Sequence, residues 1–146
     1  MAKQSALDTL IELATTQTDE AAKRLGVAVR ACQDTEQKLD MLMQYREDYE
    51  ARFRTGLSSG MTAMGYRNFQ LFLEKLDTAI AGQQQIVDNA KRRIAEERGA
   101  WQTAERKRMS YGTLAARKET IEQRKESKRD QKMMDEYATR LANYKR

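Results

Sequence analysis

The stretch Thr55-Gly56-Leu57-Ser58-Ser59-Gly60-Met61-Thr62-Ala63-Met64-Gly65 divides this sequence into two halves of like pattern. Three of the chain's seven glycines fall in these eleven residues. Gly and Ser favour a turn over continued helix. The run is too short and too apolar for a flexible linker, so it predicts a hairpin bend at 55–65.

On the N-terminal side, a seven-residue pattern runs back from the bend. One set of positions is Ile11, Thr18, Leu25, Cys32, Leu39, Arg46 and Phe53; the other is Leu7, Ala14, Ala21, Ala28, Thr35, Leu42 and Tyr49. Eleven of these fourteen are apolar. A period of 3.5 residues held this long indicates a coiled-coil helix rather than a strand. Ser5-Ala6-Leu7-Asp8 matches a helix start, in which the Ser hydroxyl caps a free N–H and the acid suits the positive helix end. The pattern therefore predicts a helix over 5–54.

On the C-terminal side the sets are Tyr66, Leu73, Ile80, Val87, Ile94, Trp101, Arg108, Ala115 and Phe69, Leu76, Gln83, Ala90, Glu97, Ala104, Tyr111, Lys118. Twelve of these sixteen are apolar. The pattern fades after Lys118 and returns as Met134, Tyr137, Leu141 and Tyr144, predicting a helix over 66–142. Two helices joined by a short bend fold back antiparallel. The expected fold is all-α: a single domain over 1–146, an antiparallel two-helix coiled-coil hairpin. Reflection about residue 60 sets Ser5 opposite Ala115 and leaves the C-terminal end of the second helix overhanging. Gly26, Gly82, Gly99 and Gly112 lie inside predicted helices and are expected to mark places to flex or to pack closely.

Composition limits the chemistry. The 146 residues include no Pro, no His and one Cys. Without His there is no His triad, His base or His metal ligand, and Cys32 alone forms no internal disulfide. Cys32 occupies a seam position and reads as a small buried hydrophobe rather than a nucleophile. No Gly-rich phosphate loop, inward carboxylate pair or metal spacing is evident, so neither catalysis nor a cofactor is expected. No apolar run approaches the ~20 residues of a membrane helix. The start leads into no apolar signal core, and a cytosolic location is expected. The net charge is +5, of which residues 116–146 carry +4 from ten basic and six acidic side chains. This is either a solvated helix face or a docking end for an acidic partner. A generic coiled-coil scaffold or tether fits all of these features; a basic nucleic-acid-binding hairpin is the weaker alternative, since no base-stacking platform is visible, and no nucleic-acid partner is expected.

Two clusters exceed what a seam requires. Leu42, Tyr45 and Tyr49 on the first helix fall level with Phe69, Phe72, Leu76 and Ala79 on the second. Leu42, Tyr49, Phe69 and Leu76 are seam positions; Tyr45, Phe72 and Ala79 lie beside the seam and are expected to be partly exposed. They either widen the core near the bend or form a protein-docking patch. The terminal face of Met134, Tyr137 and Leu141 is either a frayed tail or a segment ordered by a partner's groove.

Ala6-Leu7-Asp8-Thr9-Leu10, Ala21-Ala22-Lys23-Arg24-Leu25-Gly26, Met41-Leu42-Met43-Gln44-Tyr45-Arg46 and Tyr49 resemble the FliJ family of flagellar export proteins. So do Phe69, Phe72, Leu76 and the run Asp130-Gln131-Lys132-Met133-Met134-Asp135-Glu136-Tyr137-Ala138. The resemblance covers essentially the whole chain. It implies a non-enzymatic component of flagellar type III export, similar to the gamma stalk of rotary ATP synthases. It also implies partners: the export ATPase hexamer FliI, the cytoplasmic region of the export gate FlhA, and export chaperones. The implied location is cytoplasmic, peripheral at the inner membrane through the export apparatus. The family's gate-binding surface maps onto Leu42, Tyr45, Tyr49, Phe72, Leu76 and Ala79. Lys38 and Gln83 lie at its edges and depart from the family's residue types there. Met134, Tyr137 and Leu141 are candidates for the ATPase or chaperone contact.

Overall fold

The computed structural model describes residues 5–145. They form two α-helices, α1 (Ala6–Ser58, 53 residues) and α2 (Ala63–Tyr144, 82 residues), packed against each other. The chain falls into two compact units, one of 5–18 with 103–145 and one of 19–102.

Both helix starts are capped as their sequences require. The Asp8 amide donates to Ser5 Oγ at 3.1 Å, and the Ser5 amide donates back to Asp8 Oδ2 at 3.2 Å, a reciprocal capping box. Thr62 caps α2, accepting the Gly65 amide on Oγ1 at 3.1 Å.

The bend is tighter than the expected 55–65, since α1 runs on to Ser58 and α2 begins at Ala63. Of the three glycines, only Gly60 takes a positive φ, of 89°. Gly56 and Gly65 are helical and serve space instead. A Cβ on Gly56 would meet Met61 Cε at 2.5 Å, and one on Gly65 would meet Met61 Cγ at 3.1 Å. Met61 folds its side chain into the room the two glycines leave. The Ser58 and Ser59 hydroxyls donate to the Arg54 and Thr55 carbonyls at the end of α1, a back-bonding that satisfies them locally.

In the unit 19–102 the seam follows the heptads. Ala21, Ala28, Cys32 and Leu39 of α1 and Leu76 and Val87 of α2 are buried. Covering Val87, which is 2% exposed, is worth roughly 1.5–3 kcal/mol. Polar seam positions have partners. Gln83 Nε2 donates to the Thr35 carbonyl at 3.0 Å across the hairpin. Glu97 pairs with Arg24 of α1 at 3.4 Å and with Arg93 at 3.1 Å. Arg46 donates to Asp77 of α2 and to Glu50. Each cross-helix pair lies within about one turn of the register set by reflection about Gly60.

In the unit of 5–18 with 103–145, Ala14 and Thr18 are buried, and Thr18 donates its hydroxyl to the Ala14 carbonyl at 2.8 Å. Ala104, Glu105, Arg108, Tyr111 and Ala115 of α2 are half-buried, and every residue from 116 to 145 is exposed. The overhang thus begins where the reflected register places it.

Gly26, Gly82, Gly99 and Gly112 were expected to mark places to flex or to pack closely, and the structure bears on the second alternative. Beyond the local helix backbone and the adjacent residues, nothing lies within 4 Å of a Cβ built on any of them, so close packing within the chain does not explain them.

Candidate docking surfaces

The expected patch forms on unit 19–102 just below the bend. Successive turns of α1 bring Leu42, Tyr45 and Tyr49 to the side of α2 that carries Phe72, Leu76 and Ala79. Tyr45 meets Phe72 edge-on at 6.0 Å between ring centroids. Tyr49 tilts against Phe72 at 4.4 Å and against Phe69 at 4.7 Å. The rings continue toward the bend through Phe53 and Tyr66, at 5.3–5.4 Å. Aromatic pairs at these distances add roughly 0.5–1.5 kcal/mol beyond burial, so the face is rigid as well as apolar.

Exposure separates the six residues by role. Tyr45 is 49% exposed and Leu76 only 6%. Ala79 is exposed; Leu42, Tyr49 and Phe72 are half-buried. Tyr45, Ala79 and the accessible edges of Leu42, Tyr49 and Phe72 can touch another molecule. Leu76 is covered in the seam.

A shallow groove of about 400 Å³ borders the patch, lined by Lys38, Met41, Leu42, Tyr45 and Gln83. The structure thus brings both edge residues, Lys38 and Gln83, to the same groove. Met41, 68% exposed, is a wall residue that the sequence reading passed over. Its signal is its place one turn before Tyr45 on the open side of the seam. The reading also passed over the ion pair that joins the seam residue Arg46 to Asp77 across the two helices. The Arg46 guanidinium holds the Asp77 carboxyl below the usual carboxylate range, against a smaller opposing effect of desolvation.

The terminal candidates belong to the other unit. Met134 is 73%, Tyr137 66% and Leu141 44% exposed. With Met133, Glu136 and Arg140, Met134 and Tyr137 line an open hollow of about 490 Å³ on the helix surface. Among the described residues, no other element covers this face.

Cys32 is buried, and its Sγ donates to Glu36 Oε1 at 3.5 Å. Burial first, and the Glu36 carboxylate second, push its thiol above the ordinary value. This suits a packing residue and not a nucleophile. Among the described residues, no three His, Cys, Asp or Glu side chains converge as a metal site. No described helix is long and apolar enough to cross a membrane.

Two long helices packed against each other, with an aromatic patch beside the bend and a helical end that no described element covers, define a coiled-coil protein. The sequence pattern of the family described as Flagellar FliJ protein matches residues 3–146. The Flagellar FliJ protein of Escherichia coli (strain K12) is 32% identical over 142 residues, covering 97% of each chain. That of Salmonella typhi is 31% identical over 142 residues, again covering 97% of each. The chain belongs to the FliJ family of flagellar export components.

Proposed function

We propose that this chain is a non-enzymatic, stalk-like link between the export ATPase ring FliI and the export gate FlhA, and that it assists delivery of chaperones and their substrates. The observation that carries the proposal is the placement of two unlike surfaces on separate units. One is a rigid aromatic patch held by both helices; the other is a helical end that nothing in the described chain covers.

The gate contact falls on Leu42, Tyr45, Tyr49, Phe72, Leu76 and Ala79. Tyr45 and Phe72 are its anchors, because large aromatic side chains with partly open faces dominate interface energies. Leu76 acts by holding Phe72 and Tyr49 in place. Lys38 and Gln83 lie across the adjoining groove and bear on selectivity for the gate. The ATPase or chaperone contact falls on Met134, Tyr137 and Leu141. Flexible Met side chains suit a surface that re-packs against more than one partner. At the inner membrane the chain is held peripherally, through these partners.

The test is capture by the purified full-length chain, with the gate's cytoplasmic region and the ATPase supplied separately. Both are expected to bind, and Tyr45→Ala should reduce capture of the gate alone. If neither partner is retained at micromolar concentration, the hairpin is a tether for something else.

A further inference from the structure

Residues 117–132 of α2 carry a sorted arrangement of charge. At 100° per residue, Arg117, Lys118, Arg124, Lys125, Lys128, Arg129 and Lys132 fall within an arc of roughly 140°. Glu119, Glu122, Glu126 and Asp130 fall in an adjoining arc of roughly 80°, its centre about 130° round the helix from that of the cations. All are exposed. Among the described residues none of the seven cations is held in an ion pair. Leu114 and Ile121, 47% and 52% exposed, lie seven residues apart on the basic side. Asp135 and Glu136 return to that side and end the stripe. The half-buried Arg108 and Ala115 lie on the acidic side and the half-buried Tyr111 at its border with the cations, so α1 packs away from the centre of the basic face.

We propose that this basic face lies flat on an anionic lipid bilayer. The proposal goes beyond the link between ATPase and gate, and concerns direct contact with lipid. Three features favour a bilayer. First, the cations follow one straight side of a helix for about 22 Å, the footprint of a plane. Second, the face offers no aromatic anchor of the kind a protein interface needs, and the hollow of about 400 Å³ beside Arg117, Ile121 and Arg124 is open and shallow. Clusters of four to eight Lys and Arg on a helix are instead sufficient for anionic headgroups. Leu114 and Ile121 are placed to reach the headgroup boundary between the cations. Third, acids line the other side. An enclosing anionic partner would repel them: the major groove of duplex DNA is about 12 Å wide and brings phosphate to both flanks of a helix. The same holds for the acidic bore of a protein ring. A plane touches one side only and leaves the acids in water. The helix lies on the surface rather than across it.

The test is co-sedimentation of the full-length chain with vesicles of phosphatidylcholine alone or mixed equally with phosphatidylglycerol, at low and high salt. Binding is expected only to the anionic vesicles, weakening as salt screens the charges. Each cation near the surface contributes on the order of a five-fold gain, so the double change Arg124→Gln with Lys128→Gln should weaken partitioning about thirty-fold. Lys118→Gln with Lys125→Gln should do the same, and circular dichroism should show unchanged helicity in both. Glu122→Gln with Glu126→Gln should leave binding equal or stronger. No preference for anionic vesicles, or binding by either basic-face variant as strong as that of the unaltered chain, overturns the proposal. So does displacement by duplex DNA at equal phosphate concentration, or dependence of ATPase capture, rather than vesicle binding, on Arg124 and Lys128.

Discussion

Replacing Gly26, Gly82 and Gly112 by Ala together should make the chain more stable. Each is a helix-interior residue with nothing beyond the local helix backbone and the adjacent residues within 4 Å of the added Cβ, and none has a positive φ. The gain comes mainly from the unfolded chain, which loses conformational freedom when Ala replaces Gly. At about 0.8 kcal/mol per site, three independent sites give about 2.4 kcal/mol. For a chain near this length that raises Tm by about 5–10 °C. Thermal unfolding followed by circular dichroism at 222 nm measures it, with the single variants as an additivity check. A fall in Tm, or no change, would refute the reasoning. It would mean that another surface, such as a second copy, approaches the bare backbone at these positions. If the triple variant is more stable yet loses a partner, the glycines serve that partner's close approach, and the single variants will show which one.

The two classes of patch residue should separate in one experiment. Leu76→Ala is expected to cost about 2–5 kcal/mol of stability through the cavity it leaves. Tyr45→Ala should leave Tm within a degree or two and still weaken capture of the gate's cytoplasmic region. Equal loss of fold in both would return the cluster to a purely packing role. Deleting 116–146 should preserve the cooperative unfolding of 19–102, whose seam is self-contained, and abolish capture of the ATPase; undiminished capture would move the ATPase contact elsewhere. Lowering pH should reveal the Arg46–Asp77 pair. Because the folded Asp77 carboxyl lies below its unfolded value, its stabilising contribution is full above the unfolded value and is lost as pH falls through the folded one. Asp77→Asn should flatten that part of the pH–stability curve, and an unchanged curve would show that the pair contributes nothing.

Much of the fold was legible because burial in a hairpin follows one simple period. All fourteen α1 seam positions are shielded to some degree, and in α2 only Tyr66 and Lys118, at the two ends of the pattern, are exposed. The bend boundaries were not legible, because glycine can supply either a turn or a space. Gly60 does the first, while Gly56 and Gly65 make room for Met61. Sequence shows the glycines but not which side chain will fold over them. The polar seam residues were equally opaque. Arg46, Gln83 and Glu97 read as breaks in a pattern, since their partners Asp77, Thr35 and Arg24 lie across the hairpin. At the patch, position relative to the seam marked Tyr45 and Ala79 as open and Leu76 as covered. Met41 was missed because an exposed Met on a polar face looks unremarkable until a groove is seen beside it.

Those three polar crossings have a mechanical consequence. Two helices joined by an unbroken aliphatic seam can creep by one heptad and find nearly equivalent holes. Here a slip would move Arg46 off Asp77, Gln83 off the Thr35 carbonyl and Glu97 off Arg24 in a single step. The half-buried Gln83 and Glu97 would pay the desolvation of an unmade bond. Within residues 19–102 the helices are therefore geared together. Tension or torque applied to one is handed to the other, and this part of the chain yields by bending before it yields by shear.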